Sequence, residues 1–270
     1  MVKLEKITIF PIKSVSGLEC NTHPIISEGF KYDREWMIVT PDGTFLTQRE
    51  MPQLNQLGIV SCDEGFYIFN PNDKSSGFQI NANQESDKII EVNIWGQECL
   101  AQTGFKDSSA WLSDYLCKEV ILVKIQKRSR IRKSNSWEFN FPINFSDGYP
   151  IHLVNLNSIK QVEVIGNTQI DPKQFRSNLL ISGLPPFEED KLKGFKIGNL
   201  SFDVIKKCSR CIMTNLKPNT SKFGKEPLRT LSTIRKFGNE VYFGIYAIPR
   251  REAGKGVHLI SISDELILEF

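Results

Sequence analysis

A mainly β fold of the α+β class, in two domains, is what the sequence predicts, and three observations predict it. Short apolar or alternating runs of about four to eight residues recur along the chain, each bounded by Gly, Pro, Asn or Asp, which is strand rhythm. Helical periodicity is confined to short stretches near residues 107–117, 157–164 and 227–235. No G-x-G-x-x-G follows a predicted strand, so neither a Rossmann fingerprint nor a doubly wound sheet is expected.

The elements follow in order. Residues 2–10 alternate imperfectly between charged and β-branched side chains, as a half-buried strand does, and Pro11 ends it. In Ile12-Lys13-Ser14-Val15-Ser16-Gly17, a lysine and a serine stand beside small residues at a strand end. That combination suits an anion site, a solvated turn being the alternative. Residues 36–39, Pro41-Asp42-Gly43 and residues 44–47 read as a hairpin with Pro and Gly where turn chemistry wants them. Arg34 stands at its entry, either a surface charge or a second anion contact. Residues 57–95 continue as short strands, with the rhythm of an antiparallel sheet or barrel. Ala110, Trp111, Asp114, Tyr115 and Leu116 give a helical stripe, with Asp107 or Ser108 as N-cap, and residues 120–123 a strand. The basic tract 124–133 has no aromatics interleaved with its arginines, so it reads as a connector and not as a nucleic-acid surface. It places the boundary between domains 1–125 and 126–270.

Beyond it, the turn-rich residues 145–150 lead into a strand over 151–154. In Phe175-Arg176-Ser177-Asn178, Arg176 and Asn178 are two positions apart at the start of a strand over 179–182, so both face one side of the backbone. Gly198-Asn199 turns a hairpin. Residues 240–248 form a strand containing Phe243-Gly244-Ile245-Tyr246.

Composition bounds the function. A chain of 270 residues with 40% hydrophobic and 24% charged residues is an ordinary globular protein, and a net charge of +3 argues for no particular partner. The amino terminus lacks a signal-peptide core, and no later segment is long and apolar enough to span a bilayer. The expectation is a cytoplasmic, reducing compartment without membrane contact, in which the six cysteines are free thiols.

Two thiols, a hydroxyl and a guanidinium crowd together in Cys208-Ser209-Arg210-Cys211. A thiolate is the best protein ligand for soft metals, and a neighbouring cation such as Arg210 favours the thiolate. A zinc site would want a second ligand pair, whereas Cys20, Cys62, Cys99 and Cys117 are scattered singly and His23, His152 and His258 lie far apart. A thioredoxin-like pair would open a helix, whereas Pro218 follows soon after. A functional thiol and two buried structural cysteines both remain open on these residues alone.

Five stretches in order carry a resemblance: Phe10-Pro11-Ile12-Lys13-Ser14, Asp33-Arg34-Glu35-Trp36, Phe175-Arg176-Ser177-Asn178, Cys208-Ser209-Arg210-Cys211-Ile212 and Phe243-Gly244-Ile245-Tyr246. With them the chain resembles the MOSC superfamily, in particular the branch of the amidoxime-reducing components. The resemblance implies an N-terminal MOSC β-barrel-like domain packed against a MOSC β-barrel domain. It also implies a molybdenum cofactor (molybdopterin) whose dithiolene holds the metal. Cys211 is then the metal ligand and catalytic cysteine. Lys13, Ser14 and Arg34 hold the phosphate and pterin, and Arg176, Asn178, Ser209, Arg210 and Tyr246 complete the pocket. The implied activity is reduction of small N-hydroxylated compounds: amidoximes, hydroxamic acids and N-hydroxylated bases.

Ser177 stands where many relatives have proline, and Gly148-Tyr149 where they have small hydroxyl residues. No C-x-x-x-x-C-x-x-C iron–sulfur signature is present, so electrons are expected from a separate flavin, haem or iron–sulfur protein. No general acid is named: Tyr32 and Asp147 are near matched stretches, but nothing specific in the sequence supports that role. The alternative is a carrier of sulfur or of the cofactor that uses Cys211. The superfamily includes fusions to cofactor sulfurases that use pyridoxal phosphate, and no pyridoxal-phosphate domain is recognised here.

Overall fold

The computed structural model describes residues 2–132, 140–250 and 256–270. Lys133, the last residue of the basic tract, lies outside the described residues. The architecture is mostly β, with three α-helices among the described residues: α1 (Lys106–Leu116), α2 (Leu156–Gly166) and α3 (Leu228–Ile234).

One large sheet organises the molecule. Its strands run in the order Leu18–Cys20, Lys3–Ile9, Leu179–Ser182, Ile151–Asn155, Glu240–Pro249, Leu200–Arg210, Gly194–Ile197 and Leu266–Glu269, with Lys236–Phe237 added beside Glu240–Pro249. Residues from both ends of the sequence therefore share it. Ile151–Asn155 and Leu179–Ser182 pair in parallel, which requires a crossover, and α2 lies on that connection. The Asn155 side chain accepts a hydrogen bond from Asn157 N and caps α2, and Asn167 closes the helix in the left-handed conformation.

The amino-terminal half adds a four-stranded sheet, ordered Trp36–Val39, Ile121–Ile125, Gln97–Gln102 and Ile89–Ile94, and a three-stranded one over residues 58–81. Neither closes into a barrel among the described residues. The expected hairpin partner of Trp36–Val39 is reduced to isolated bridges, Val39 with Phe45 and Thr44 with Asn93. The cause is local: Thr47 donates its N–H and hydroxyl to the Glu50 carboxylate, which starts a turn in place of a longer strand. The ladder partner is instead Ile121–Ile125.

The N-cap expected at Asp107 or Ser108 also moves. Gly104, at φ +112°, turns the chain out of its strand early, so α1 starts at Lys106 with Phe105 in the cap position and no side-chain cap bond. Asp107 then sits in the first turn, where its charge complements the helix dipole.

All four side chains of Trp36–Val39 are buried, because both faces of that strand are covered. Trp36 and Ile38 join the largest core cluster, which runs unbroken to Leu153, Phe195 and Phe202 in the carboxyl half. Met37 and Val39 point the other way, into a smaller cluster with Val92 and Val123. A third cluster, including Ile159, Phe175, Leu231 and Phe243, lies beneath α2 and α3.

Gly244 lies hard against the neighbouring strand Ile151–Asn155. It has φ +75°, and a Cβ there would stand 2.7 Å from both His152 Nε2 and the Leu153 carbonyl oxygen. Gly96 has a similar φ of +78° but open space around it. Gly244→Ala is expected to lose about 3 kcal/mol from strain and overlap, and Gly96→Ala about 1 kcal/mol from strain alone. Equilibrium urea unfolding of the two variants measures the difference.

Candidate functional site

An open cleft of about 650 Å³ brings together all nine residues singled out from the sequence: Lys13, Ser14, Arg34, Arg176, Asn178, Ser209, Arg210, Cys211 and Tyr246. They arrive from sheet ends and turns. Lys13 and Ser14 follow the strand Lys3–Ile9, and Arg34 lies in the turn before Trp36–Val39. Arg176 ends the 3₁₀ turn Pro172–Phe175, and Asn178 precedes Leu179–Ser182. Ser209 and Arg210 end the strand Leu200–Arg210, Cys211 is the next residue, and Tyr246 lies on Glu240–Pro249. Ser14, Arg34 and Arg176 all hold left-handed backbone conformations, with φ of 69°, 50° and 51°. Each is unfavourable for a residue with a Cβ, and such strain gathers at functional sites. Arg176 is therefore not extended as expected, although it and Asn178 still meet the same partner.

That partner is Arg34. Its Nη1 donates to Asp33 Oδ2 at 2.5 Å and to Asn178 Oδ1 at 3.1 Å, and its Nη2 donates to the Arg176 carbonyl at 3.2 Å. Asp33 is buried and its other oxygen accepts from Phe10 N at 2.7 Å. Arg176 Nη1 donates to the Val15 carbonyl at 2.8 Å, fixing the turn that carries Ser14. Both guanidinium groups lie over the Phe10 ring, at 4.4 Å and 4.3 Å from its centroid. Desolvation and the neighbouring Arg34 charge push the Arg176 pKa down, with Asp33 and Asp147 opposing the shift. Asn178 is 1% exposed and also bonds His152 N and the Thr8 carbonyl. Its side chain thus serves to hold Arg34.

Lys13 is 5% exposed and donates to the Phe145 carbonyl at 2.9 Å and to Asp147. Burial lowers its pKa, with Asp147 opposing the shift. The Asp147 side chain is 62% exposed, and although partial desolvation in the cleft would raise its pKa, the Lys13 charge and hydrogen bond, helped by Trp95, overcome that and hold the carboxyl well below the usual range. Asp147 is therefore a fixed anion and not a proton donor. Tyr32, the other acid considered, does not line the cleft and packs its ring against Trp36 and Phe66.

The two cysteines part company. Cys208 is 1% exposed, within a stretch where the strand register shifts on both sides of Lys207, and a bulge of this kind re-aims side chains. Arg210 Nη1 lies 3.0 Å from Cys208 Sγ, and its Nη2 donates to the Phe175 carbonyl at 3.0 Å. Burial first, and then Cys208, push the Tyr246 hydroxyl well above its ordinary pKa, so it stays protonated. Cys211 is exposed in the cleft, and the cation touching it is Arg49, whose Nη2 stands 3.3 Å from Sγ. Arg210, the expected partner by adjacency, is turned inward. All six cysteines are unpaired.

Among the described residues, seven cations line the cleft (Lys13, Arg34, Arg49, Arg132, Arg176, Lys206 and Arg210) against two carboxylates, Asp147 and Glu240. Among the described residues, the buried Ser146 Oγ and Arg210 Nε on its walls have no hydrogen-bond partner. Burial and the adjacent guanidinium groups lower the His152 pKa well below its ordinary value, so its ring is neutral. Gly148 fits beneath Tyr246, where a Cβ would stand 2.7 Å from the ring. Among the described residues no group of three or more His, Cys, Asp or Glu side chains is placed to hold a metal ion. A smaller cavity of about 100 Å³ adjoins across Arg176 and Met213, but no cysteine lines it.

Arg49, Trp95 and Lys206 were not legible as site residues. Nothing in the spacing of Thr47-Gln48-Arg49-Glu50 marks it, and its contact with Cys211 spans 162 positions.

Residues 1–119 match the MOSC N-terminal beta barrel domain, and residues 140–266 the MOSC domain. Similar proteins include the molybdenum cofactor sulfurase of Oryza sativa subsp. japonica, 26% identical over 264 residues that make up 90% of this chain and 32% of that protein. The mitochondrial amidoxime reducing component 2 of Bos taurus is 27% identical over 262 residues, 90% of this chain and 77% of that one. Its Homo sapiens counterpart is 26% identical over 260 residues, 89% and 77% of the two chains. The chain thus spans about a third of the length of the sulfurases and about three quarters of that of the reducing components. The two domain matches leave out residues 120–139 and 267–270, and the chain belongs to the MOSC-domain proteins that carry a MOSC N-terminal beta barrel domain ahead of the MOSC domain.

Proposed function

We propose that this protein binds a molybdenum-containing pyranopterin cofactor and in that form reduces N-hydroxylated compounds, with electrons supplied by a separate protein. One observation carries the reading: a single cleft joins an exposed thiol to a cation-rich floor with uncommitted polar atoms. A group ending in phosphate, with polar ring edges and a thiophilic metal, satisfies all three features. Similarity to proteins named molybdenum cofactor sulfurase and amidoxime reducing component supports it.

Lys13, Ser14 and Arg34 would hold the phosphate end, where charge-assisted donors are strongest. Arg176, Ser209, Arg210 and Tyr246 would line the polar rings, with Asn178 keeping Arg34 in place, and Cys211 would be the protein's ligand to the metal. The bound group supplies a redox-active Lewis acid. Reduction of an N–OH group consumes two electrons and two protons and releases the oxygen as water. Asp147 stays ionised throughout, as a counter-ion to Lys13. Tyr246 keeps its proton, so it can donate a hydrogen bond from the wall beside Cys208. The unpaired thiols belong with a reducing, cytoplasmic setting.

A second reading, a carrier of sulfur or of the cofactor through Cys211, is favoured by the exposure of that thiol and the match to the sulfurases.

Three outcomes are expected. Lys13→Ala and Arg34→Ala each remove a contact worth about 1.5–3 kcal/mol and should lower molybdenum content after purification about tenfold or more. Because Lys13 is buried and bonded, its variant should also melt earlier, whereas a surface lysine would change neither quantity. Cys211→Ser should abolish turnover of benzamidoxime with reduced viologen, whereas Cys208→Ser should retain a substantial fraction, because it sits behind the cleft as a packing residue. Equal, complete loss in both would point to a dithiol pair instead. With NADH alone the purified wild-type chain should show no turnover, and NADH-driven activity would contradict the separate donor.

A further inference from the structure

The cations of the cleft differ in what already occupies them. Lys13 is tied to Asp147, Arg34 to Asp33, Arg176 to the Val15 carbonyl, and Arg210 to Cys208 and the Phe175 carbonyl. Arg49 is exposed and makes no salt bridge to a described residue, the adjacent Glu50 carboxylate, itself held by Thr47, acting on it only at a distance. Lys206 is exposed too, but Arg49 of the two touches a sulfur, with Nη2 3.3 Å from Cys211 Sγ.

Its position is built. Its guanidinium lies 4.8 Å from the centroid of the Trp95 indole. Trp95 is held in turn by Nε1–H donation to Asp147 at 2.8 Å and by an edge contact with Phe45. On either side of Arg49, Thr47 is bonded to Glu50, and the buried Gln48 donates to Asn55 Oδ1 at 3.3 Å. Asn55 Nδ2 donates at 2.8 Å to the Lys217 and Thr220 carbonyls, on the loop just past Cys211. A guanidinium has five N–H donors in a rigid fork, and stacking on an indole leaves its edge available for an anion. The anchored loop therefore presents a preorganised cation with spare donors beside the reactive thiol.

We propose that Arg49 binds an anionic oxygen of the substrate next to Cys211, and so favours acids among the N-hydroxylated compounds: those bearing a carboxylate or an ionised hydroxamate. This rests on the reading of Cys211 as the reacting end of the cleft. The phosphate end is assigned to other residues, Lys13 and Arg34.

The test uses the 270-residue chain produced in cells unable to make the cofactor, so that the Cys211 thiol is free. Rates of alkylation by iodoacetate and by neutral iodoacetamide are measured at Cys211 by peptide mass spectrometry, with the other exposed thiol, Cys117, as internal reference. The ratio of the two rates on one sulfur cancels that thiol's own ionisation and reports the local preference for an anion. Losing one unit charge about 5 Å away in a water-filled cleft changes the ratio about fourfold. Arg49→Ala should lower it by that factor at Cys211 and leave it unchanged at Cys117. Arg49→Lys should keep most of it, and Arg49→Glu should lower it further. An unchanged ratio in Arg49→Ala would overturn the proposal, whether or not the protein proves to be a molybdenum enzyme. In the loaded enzyme, kcat/KM for a carboxylate-bearing benzamidoxime relative to benzamidoxime should fall similarly in Arg49→Ala. An equal fall for both substrates together with lost molybdenum would assign Arg49 to the cofactor and overturn it too.

Discussion

Two half-buried arginines over one phenylalanine ring are the constraint on which the site depends. Arg34 and Arg176 come from positions far apart in the sequence, and both guanidinium groups lie over Phe10 with Asp33 as the buried carboxylate beside them. Like charges partly withdrawn from water repel, so the arrangement persists only where the surroundings dictate it. The surroundings here are backbone carbonyls of Arg176 and Val15, the Asn178 amide, and the aromatic face. Left-handed backbone at Ser14, Arg34 and Arg176 adds to the cost. A pocket that pays for three strained residues and an excess of cations is organised for an anion.

The same constraint explains the sheet. Lys3–Ile9 pairs with Leu179–Ser182, so the turn carrying Lys13 and Ser14 is delivered against the segment carrying Arg176 and Asn178. The continuous core from Ile7 and Trp36 to Leu153 and Phe202 makes the two halves one packed body around the cleft. Asn55 extends the grip by binding the Lys217 and Thr220 carbonyls, which steadies the turn after Cys211. Position along the bulged strand then separates the sulfurs, with Cys208 turned into the wall and Cys211 left at the strand end in the open cleft.

Much of this was legible in the chain. Strand rhythm gave the β class, Pro11 and the residues after it marked the first anion turn, and the crowding at Cys208 to Cys211 drew attention to the thiols. Three helices were placed to within about two residues, the usual uncertainty at helix ends. What failed has physical reasons. The hairpin after Trp36–Val39 was cut short by the Thr47 bond to Glu50, and the cap of α1 moved because Gly104 turned the chain early. Adjacency named Arg210 as the thiol's cation, whereas strand geometry turns it to Cys208, and Arg49 fills the place through a contact that no local pattern encodes.

The account stands or falls on what the cleft holds. Metal analysis of the purified 270-residue chain, paired with fluorescence detection of the oxidised pterin, measures it directly. The predicted result is molybdenum and pterin in equal amounts, approaching one of each per chain. Zinc at that level without pterin would contradict the account.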